Sequence, residues 1–299
     1  MRKNHTLLLL LATSGLLDGP WQAGRDQADP RLLHEIQRRL EPPSRLPYNL
    51  SYPRRVRWGQ SHQVYVIQAL TRNKTGGFFV ESGAYDGEHM TNSLLLERTF
   101  GWSGVLIEPA GSIVPALRAK RRKAWVLQAC LSHLDTDLKA MFRDEKKWGL
   151  TTVEDGMTAE RLSDLARQQT HPNKLGDRYP VPCYPLYSIL LALGRTSVDF
   201  LSLDVEGTEM GILAHVPWHL VDIKILLVEN FMTYLWNPQT DMMRWFMESR
   251  GYLAMRLQHD WLFVRRDCEY AADAADIVRR ARRHIAKLPD STATDPFND

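Results

Sequence analysis

Residues 78–87, FFVESGAYDG, decide the fold of this 299-residue chain. The large apolar residues at its start predict a buried strand, and the small residues that follow predict a tight turn. Ser82, Gly83 and Ala84 carry little or no side chain, so the backbone of this turn can approach a ligand closely. The spacing E-x-G-x-x-x-G, which ends at Gly87, lacks the third glycine of a dinucleotide fingerprint and suits a nucleoside without a pyrophosphate.

Short apolar runs alternate with amphipathic stretches after this turn, which predicts parallel βαβ units. Two late apolar runs are separated by only three residues and predict an antiparallel hairpin. The predicted fold class is therefore α/β, a doubly wound and mostly parallel Rossmann-like sheet with a C-terminal antiparallel hairpin. The predicted strands are Phe78–Val80, Gly104–Glu108, Ala124–Leu131, Val198–Leu203, Ile223–Val228, Tyr252–Leu257 and Trp261–Val264, and the predicted helices between them are Thr91–Arg98, Ile113–Arg121, Ile189–Leu193 and Thr240–Arg250.

Acidic residues stand at the ends of three of these strands. Glu81 ends the first strand, Glu108 ends the second, and Asp204 ends the fourth. Ligands of a doubly wound sheet bind beyond the carboxyl ends of its strands, where the strand order reverses. We therefore expect the three carboxylates to converge around one ligand.

Several of these segments together resemble the FkbM-type methyltransferase family. The resemblance covers about residues 58–267, and it is carried by GFFVESGAYDG at 77–87, LER at 96–98, GWSGVLIEP at 101–109 and LDVEG at 203–207. The stretch VPCYPL at 181–186, continued to Leu193, resembles the branch of invertebrate animals that includes proteins similar to the insect membrane protein Star.

The resemblance implies a class I methyltransferase fold with S-adenosylmethionine as the cofactor. This cofactor has cationic sulfonium and amino groups, which suit Glu81, and ribose hydroxyls, which suit the carboxylate of Glu108. The resemblance also implies O-methylation of a hydroxyl on a small molecule, glycan or lipid. The alternative is a catalytically weak or inactive Star-like protein in the trafficking of membrane or growth-factor cargo between endoplasmic reticulum and Golgi. The predicted cofactor-binding residues are Glu81, Ser82, Gly83, Ala84, Gly87, Glu108, Pro109 and Asp204.

Transfer of a methyl group to a hydroxyl requires a base. Glu206 is the first candidate, because alternation along a strand sends it to the same side as Asp204. Asp204 itself, His133, His215 and Glu229 are the other candidates. No spacing indicates a metal site, and neither a nucleophile elbow nor a phosphate-binding loop occurs.

The N-terminus predicts entry into the secretory pathway. A basic start precedes the apolar run Leu7–Leu17, which is too short to span a bilayer comfortably. Residues 1–20 therefore predict a signal peptide or a short signal anchor. Asn49 and Asn73 begin glycosylation sequons. We expect a glycoprotein in the lumen of the endoplasmic reticulum or Golgi, membrane-anchored or secreted, with a cytoplasmic enzyme as the alternative.

The composition is that of a globular protein, with a formal net charge of only +3. Basic residues cluster at 54–57, 118–123 and 279–283 without interleaved aromatic residues, which predicts solvated faces and no nucleic-acid partner. A membrane or cargo protein stays open as a partner. The three cysteines allow one disulfide within the chain, and the sequence does not say which pair forms it.

The sequence predicts four segments. Residues 1–20 are the targeting segment, and residues 21–58 are a lead segment rich in Pro and Arg with a helix near Leu32–Leu40. Residues 59–267 form the methyltransferase domain. Residues 268–299 form a tail, with a helix at Ala271–Ile285 and disorder from Asp290 onward.

Overall fold

The computed structural model describes residues 25–54, 59, 63–145, 151–153, 175–230, 238–257 and 260–285. The apolar run Leu7–Leu17 and the tail from Asp290 onward lie outside these ranges. In the described ranges the helices are α1 (Pro30–Arg39), α2 (Gln63–Leu70), α3 (Leu94–Phe100), α4 (Val114–Ala119), α5 (Leu186–Ala192), α6 (Glu209–His215), α7 (Pro238–Glu248) and α8 (Ala274–Ile285). The strands are β1 (Phe78–Ser82), β2 (Ser103–Ile107), β3 (Trp125–Leu127), β4 (Cys130–Leu131), β5 (Leu138–Glu145), β6 (Thr151–Val153), β7 (Leu175–Tyr184), β8 (Ser197–Leu203), β9 (Asp222–Val228), β10 (Tyr252–Leu257) and β11 (Asp260–Arg265).

Seven of the described strands form one sheet in the order β10-β11-β9-β8-β1-β2-β3. The five strands from β9 to β3 run parallel, and β11 is antiparallel to both β9 and β10. The chain moves outward from β1 to β3 and then returns to β8 on the other side of β1. Such a reversal leaves a crevice beyond the carboxyl ends of the two central strands. The predicted fold class, with its C-terminal hairpin, is confirmed.

Helices cover both faces of this sheet. Because side chains alternate along a strand, Phe78 and Val80 enter one core together with residues of α1, α5 and α6. Phe79, between them, enters the opposite core with residues of α2, α3 and α8. Burial on both faces explains why the central strands are mostly apolar and show no alternation of apolar and polar residues.

A second sheet, in the order β4-β7-β5-β6, was not predicted from the sequence. The run Ala124–Leu131 was predicted as one strand, and this is wrong. A tight turn, closed by a hydrogen bond from the Ala129 amide to the Leu127 carbonyl at 3.0 Å, divides it between the two sheets. A disulfide between Cys130 and Cys183 joins β4 to β7. Cys268 is a free thiol.

Segments outside residues 59–267 pack into the same cores as the sheet. Leu32 and Ile36 of α1 lie in the core on one face, and Ile277 and Val278 of α8 lie in the core on the other. The four segment boundaries stay predictions, but the lead segment and the tail helix are packed parts of the fold. Among the described helices, none has the length and apolarity needed to cross a membrane.

Candidate active site

The turn after β1 is held between the two strands that flank it. The amides of Gly83 and Ala84 donate to the carbonyl of Ile107 at 3.1 and 3.2 Å, and the amide of Asp204 donates to the carbonyl of Ser82 at 3.1 Å. Gly83 has a φ of +84°, and a Cβ atom at this position would lie 1.8 Å from the carbonyl oxygen of Asp204. Only glycine fits, because the segment after β8 passes directly against the turn.

The carboxylate of Glu81 is bound inside the protein, and the residue is only 4% exposed. Its Oε1 atom accepts a hydrogen bond from the Asn92 amide at 2.7 Å. Its Oε2 atom accepts the hydroxyl of Thr91 at 2.7 Å and that of Ser93. These bonds hold residues 91–93 outside the helix, so α3 begins at Leu94 instead of at the predicted Thr91. The role of Glu81 as a cofactor ligand stays a prediction.

A buried ion pair lies beneath the same turn. The side chains of Arg122 and Glu97 have no exposed surface, and Nε of Arg122 lies 3.1 Å from both carboxylate oxygens of Glu97. The guanidinium also donates to the hydroxyl of Ser93 at 2.8 Å and to the carbonyl of Gly87. Because Ser93 in turn binds Glu81, Arg122 connects the turn to the end of β1.

Lys120 holds the outer side of the turn. Its Nζ atom donates to Oε2 of Glu88 at 2.6 Å and lies 3.5 Å from Oδ2 of Asp86. Burial alone would raise the pKa of Glu88, but the hydrogen bonds from Lys120 and from two backbone amides hold this pKa below its ordinary value. The expectation of a solvated basic face at 118–123 is wrong for Lys120 and Arg122, which are buried beside carboxylates. The turn network, as we name it, comprises Asp86, Glu88, Glu97, Lys120 and Arg122.

Glu108 flanks the turn from the side of β2. Its Oε2 atom accepts the amide of Tyr85 at 2.8 Å, and its Oε1 atom accepts the amide of Ala110 at 2.9 Å. Pro109 follows it and leads into the loop before α4. A cavity of about 370 Å³ lies beyond the ends of β2 and β3, and it is lined by Arg39, Glu41, Gly111, Arg118, Gln128 and residues 179–182.

Several carboxylates lie on the side of the turn opposite Glu108, beyond the ends of β8 and β9. Asp204, Glu206 and Glu229 each place one oxygen within 4.8 Å of the others. We expected Asp204 and Glu206 to lie close together because side chains alternate along a strand. The two residues are close, but this explanation is wrong. β8 ends at Leu203, and Glu206 has a left-handed φ of +60°. A turn that continues through Gly207, at φ +118°, brings the two side chains together.

Two further carboxylates complete this group. Glu209 accepts the amides of Val205 at 3.0 Å and Gly207 at 3.1 Å, and these bonds fix the loop between β8 and α6. Asp260, at the start of β11, accepts a hydrogen bond from the side chain of Gln63. The acidic cluster, as we name it, comprises Asp204, Glu206, Glu209, Glu229 and Asp260.

Burial and mutual repulsion raise the pKa values of four carboxyl groups in the acidic cluster, those of Asp204, Glu209, Glu229 and Asp260. Burial, supported by the negative charges of Asp260 and Glu209, raises the pKa of Asp204 to about 7. Burial likewise raises the pKa of Glu209 to about 7 and that of Asp260 to about 6. The pKa of Glu229 is raised well above its ordinary value by burial and by the charge of Asp204. A region where carboxylates face carboxylates favours a cationic ligand.

The two candidate histidines lie near α6. Nδ1 of His215, in the last turn of α6, lies 2.9 Å from the carbonyl oxygen of Gly211. His133 packs against the same glycine, where an added Cβ atom would lie 3.0 Å from the Cβ of His133. Their roles as bases stay predictions.

The structure brings most of the sequence-predicted site residues to one turn and its two flanks. Gly87 belongs to this turn with a φ of +74°, and the next helix begins only at Leu94. No short motif in the sequence marks the residues that were missed, because a buried charge is recognisable only once its partner is known. The missed residues are Glu97, Lys120, Arg122, Glu209 and Asp260.

Comparison with known proteins gives the family of this chain. It is similar to the precorrin-6y C5,15-methyltransferase of Geobacter metallireducens GS-15, at 10% identity and a TM-score of 0.35 over 67% of this chain and 85% of that one. It is also similar to an O-methyltransferase of Bacillus cereus in complex with SAH, at 14% identity and a TM-score of 0.32 over 79% of this chain and 91% of that one. No curated protein matches it. The model of the methyltransferase FkbM domain matches residues 81–254, more than half of the chain, and the protein therefore belongs to the FkbM methyltransferase family.

Proposed function

We propose that this protein is an S-adenosylmethionine-dependent methyltransferase that methylates a hydroxyl group. One observation carries the proposal. The glycine turn after β1 is flanked by the carboxylate of Glu108 on one side and by the acidic cluster on the other, and all of them except Asp260 lie within the stretch that matches the FkbM domain. Such a site offers a carboxylate to a ribose and negative charge to a sulfonium.

In this proposal the backbone of Ser82, Gly83 and Ala84 would hold the cofactor. Glu108 accepts hydrogen bonds from the ribose hydroxyls, and the loop at Pro109 leads the base toward the cavity beyond β2 and β3. Asp204, whose backbone passes against Gly83, would line the end of the site from which the methyl group is supplied. Glu81 and Gly87 support the turn from below through the contacts of residues 91–93 and Arg122.

The acceptor hydroxyl lies beside the acidic cluster in this arrangement. S-adenosylmethionine, held by the turn, would supply the methyl group to the oxygen of this hydroxyl and would leave as S-adenosylhomocysteine. The hydroxyl proton passes to a carboxylate, for which Glu206 and then Asp204 are the candidates. Alignment of oxygen, carbon and sulfur supplies much of the rate.

Binding of S-adenosylhomocysteine to the purified chain, measured by calorimetry, tests the cofactor. We expect Glu108→Ala to weaken binding by about tenfold or more, because it removes hydrogen bonds to a charged acceptor. Glu269→Ala is the matched control, since this half-exposed glutamate pairs with Lys224 at the opposite end of β9. Absence of binding by the wild-type chain at millimolar ligand would refute the proposed cofactor.

We also propose that the protein works in the lumen of the endoplasmic reticulum or Golgi. The Cys130–Cys183 disulfide suits an oxidising compartment. The sequon residues Asn49 and Asn73 are both exposed, as glycan acceptors must be. We expect the chain made in animal cells to lose mass on glycosidase treatment, and Asn49→Gln with Asn73→Gln to abolish that loss. A product with unmodified asparagines and three free thiols would contradict this location.

A non-catalytic trafficking role, as in the Star-like branch, is the second candidate function. The observation that favours it is the full engagement of Glu81, whose two oxygens are bound by residues 91–93. Export of membrane or growth-factor cargo from cells that carry Glu108→Ala with Asp204→Ala separates the candidates. Normal export with this double variant supports the trafficking role, and lost export supports methyl transfer.

A further inference from the structure

We propose that an exposed face of α8 binds a sulfated polysaccharide. The arginine face, as we name it, comprises Arg279, Arg280, Arg282 and Arg283, and all four residues are exposed. The face lies outside the stretch that matches the FkbM domain. The binding that we propose there is therefore separate from the proposed methyl transfer.

α8 presents these arginines on one side of a packed helix. Its apolar residues Ala274, Ile277 and Val278 are buried in the core that also contains residues of α2 and β10. Successive residues of an α-helix are about 100° apart, so the four arginines spread over about 160° of the helix surface opposite these buried residues. Residues 279 and 283 are separated by about 6 Å along the helix axis. A single elongated ligand can therefore contact all four guanidinium groups.

The positive charge of the arginine face is largely uncompensated. Arg279 lies 2.9 Å from Asp276, but the two side chains are 65% and 63% exposed, and such exposed pairs contribute little. Asp273, just before the helix, pairs with Arg72 instead. Among the described residues, the other three arginines of the face form no ion pair. The face therefore has positive charge to offer to a ligand.

A fifth arginine extends the basic region onto β10. The guanidinium of Arg256 lies 4.9 Å from the ring centre of Trp261. Burial lowers the pKa of Arg256, the charge of Asp260 raises it, and the charge of Arg282 lowers it, so the two arginines lie close enough to repel each other. Like charges that are held together reduce stability and are retained where function needs them.

Sulfate groups suit the side chains of this face. A guanidinium donates paired hydrogen bonds to the oxygens of carboxylates and phosphates, and a tetrahedral sulfate offers its oxygens in the same way. Residues 279–283 are basic at four of five positions. Short runs that are rich in Arg are typical of heparin-binding patches. A chain that carries sulfate groups at intervals can bind several arginines at once.

Two other polyanions fit the arginine face less well. Proteins that bind single-stranded nucleic acid stack its bases on aromatic side chains, and residues 279–283 include no aromatic residue. An interfacial helix inserts its apolar face into a bilayer, but the apolar face of α8 is already buried within the protein. Anionic phospholipids give the cytoplasmic leaflet its negative potential, whereas we propose a lumenal location for this chain. The choice of a polysaccharide over a phospholipid rests on that proposed location.

Calorimetric titration of the full chain with a size-defined heparin oligosaccharide, at physiological ionic strength, tests the arginine face. We expect Arg282→Ala with Arg283→Ala to weaken binding by about tenfold or more, because two charge-assisted contacts are lost. Arg31→Ala with Arg38→Ala is the matched control. It removes two exposed arginines from α1, which packs on the opposite face of the main sheet, and it should bind as the wild type does.

Three results would overturn the inference. The first is no heparin binding by the wild-type chain at millimolar ligand, and the second is an affinity of the α8 variant no lower than that of the α1 variant. The third is tighter binding by the wild-type chain of single-stranded RNA, or of vesicles of phosphatidylcholine and phosphatidylserine, than of heparin. All four substituted side chains are exposed, so both variants should fold, and circular dichroism verifies this. S-adenosylhomocysteine binding without heparin reports on the cofactor alone, so failure of the arginine face and failure of the proposed function give different results.

Discussion

Two regions around the glycine turn, the turn network and the acidic cluster, use acidic residues in opposite ways. In the turn network, each of the carboxylates Asp86, Glu88 and Glu97 lies beside Lys120 or Arg122. In the acidic cluster, the charges that act most strongly on Asp204 and Glu229 belong to other carboxylates. The first region has its charges compensated within the protein, whereas the second has negative charge to offer to a ligand.

This contrast separates residues that build the site from residues that use it. A buried ion pair that is complete in the folded chain contributes to stability, and loss of one partner leaves a charge stranded. Carboxylates held against one another reduce stability and are retained where function needs them. Substitutions in the two regions should therefore have opposite effects on the free energy of unfolding.

The largest effect is expected in the turn network. Arg122→Met should lower the free energy of unfolding by about 3–5 kcal/mol, because it strands the buried carboxylate of Glu97. Arg118→Met, in the exposed pair with Glu41, should lower it by about 1 kcal/mol or less. Urea denaturation measures both. Equal losses in the two variants would remove the distinction between a structural and a solvated basic residue in this segment.

The second largest effect on the free energy of unfolding is expected at Gly83, where the two regions meet. Gly83→Ala should lower the free energy of unfolding by about 2–3 kcal/mol, because the new Cβ atom meets the Asp204 carbonyl and the backbone is left-handed. Gly76→Ala has the same backbone strain, but nothing lies within 4 Å of its Cβ, so about 1–2 kcal/mol is expected. Thermal unfolding compares the two. A Gly76 variant as unstable as the Gly83 variant would show that strain alone, and not the approach of β8, requires the glycine.

Replacement of a carboxylate by the corresponding amide should change the free energy of unfolding in opposite directions in the two regions. Glu88→Gln should destabilise the chain by about 1–3 kcal/mol, because the amide cannot replace the carboxylate beside Lys120. Asp204→Asn should stabilise the chain by about 1–2 kcal/mol at pH 8, because it removes one charge from a repelling group. Melting temperatures at pH 8 measure the pair. If both variants shifted the melting temperature in the same direction, the contrast between the turn network and the acidic cluster would be contradicted.

The smallest effect is expected in the pH dependence. The pKa values of Asp204, Glu209 and Asp260 are higher in the folded chain than in the unfolded chain. The folded chain therefore binds more protons than the unfolded chain between about pH 4 and pH 7. As a result, the free energy of unfolding falls as pH rises through this range. The part of this loss that is due to Asp204 should be on the order of 1 kcal/mol, which is the stabilisation expected from Asp204→Asn. Glu88 has a lowered pKa, so its ionised carboxylate stabilises the folded chain. This stabilisation is lost only when the pH falls far enough to protonate the carboxylate.

Denaturant titration at pH 5 and at pH 8 checks this sign. The stabilisation by Asp204→Asn should be present at pH 8 and largely absent at pH 5, because the wild-type carboxyl is then protonated. A stabilisation that is the same at both pH values would show that the charge of Asp204 is not its cause.

The sheet was predictable because its signals are local. Runs such as Gly104–Glu108 and Val198–Leu203 are mostly apolar, and they were placed within one residue of β2 and β8. The second sheet was missed because β4 is only two residues long and continues an apolar run that already served β3. The start of α3 was missed because hydrogen bonds to Glu81 compete with the helix at residues 91–93.

The sequence by itself determined the succession of the main-sheet strands along the chain, the glycine turn and the acidic residues at the ends of three of these strands. These follow from periodicity and from backbone sterics, which neighbouring residues in the chain decide. Only the tertiary structure decided which acids are compensated. Lys120 and Arg122 are far in sequence from the carboxylates that they bind, and Asp204 and Glu229 meet because two strands end side by side. Electrostatic energy depends on distance in space and on burial, and neither can be read from a linear order of residues.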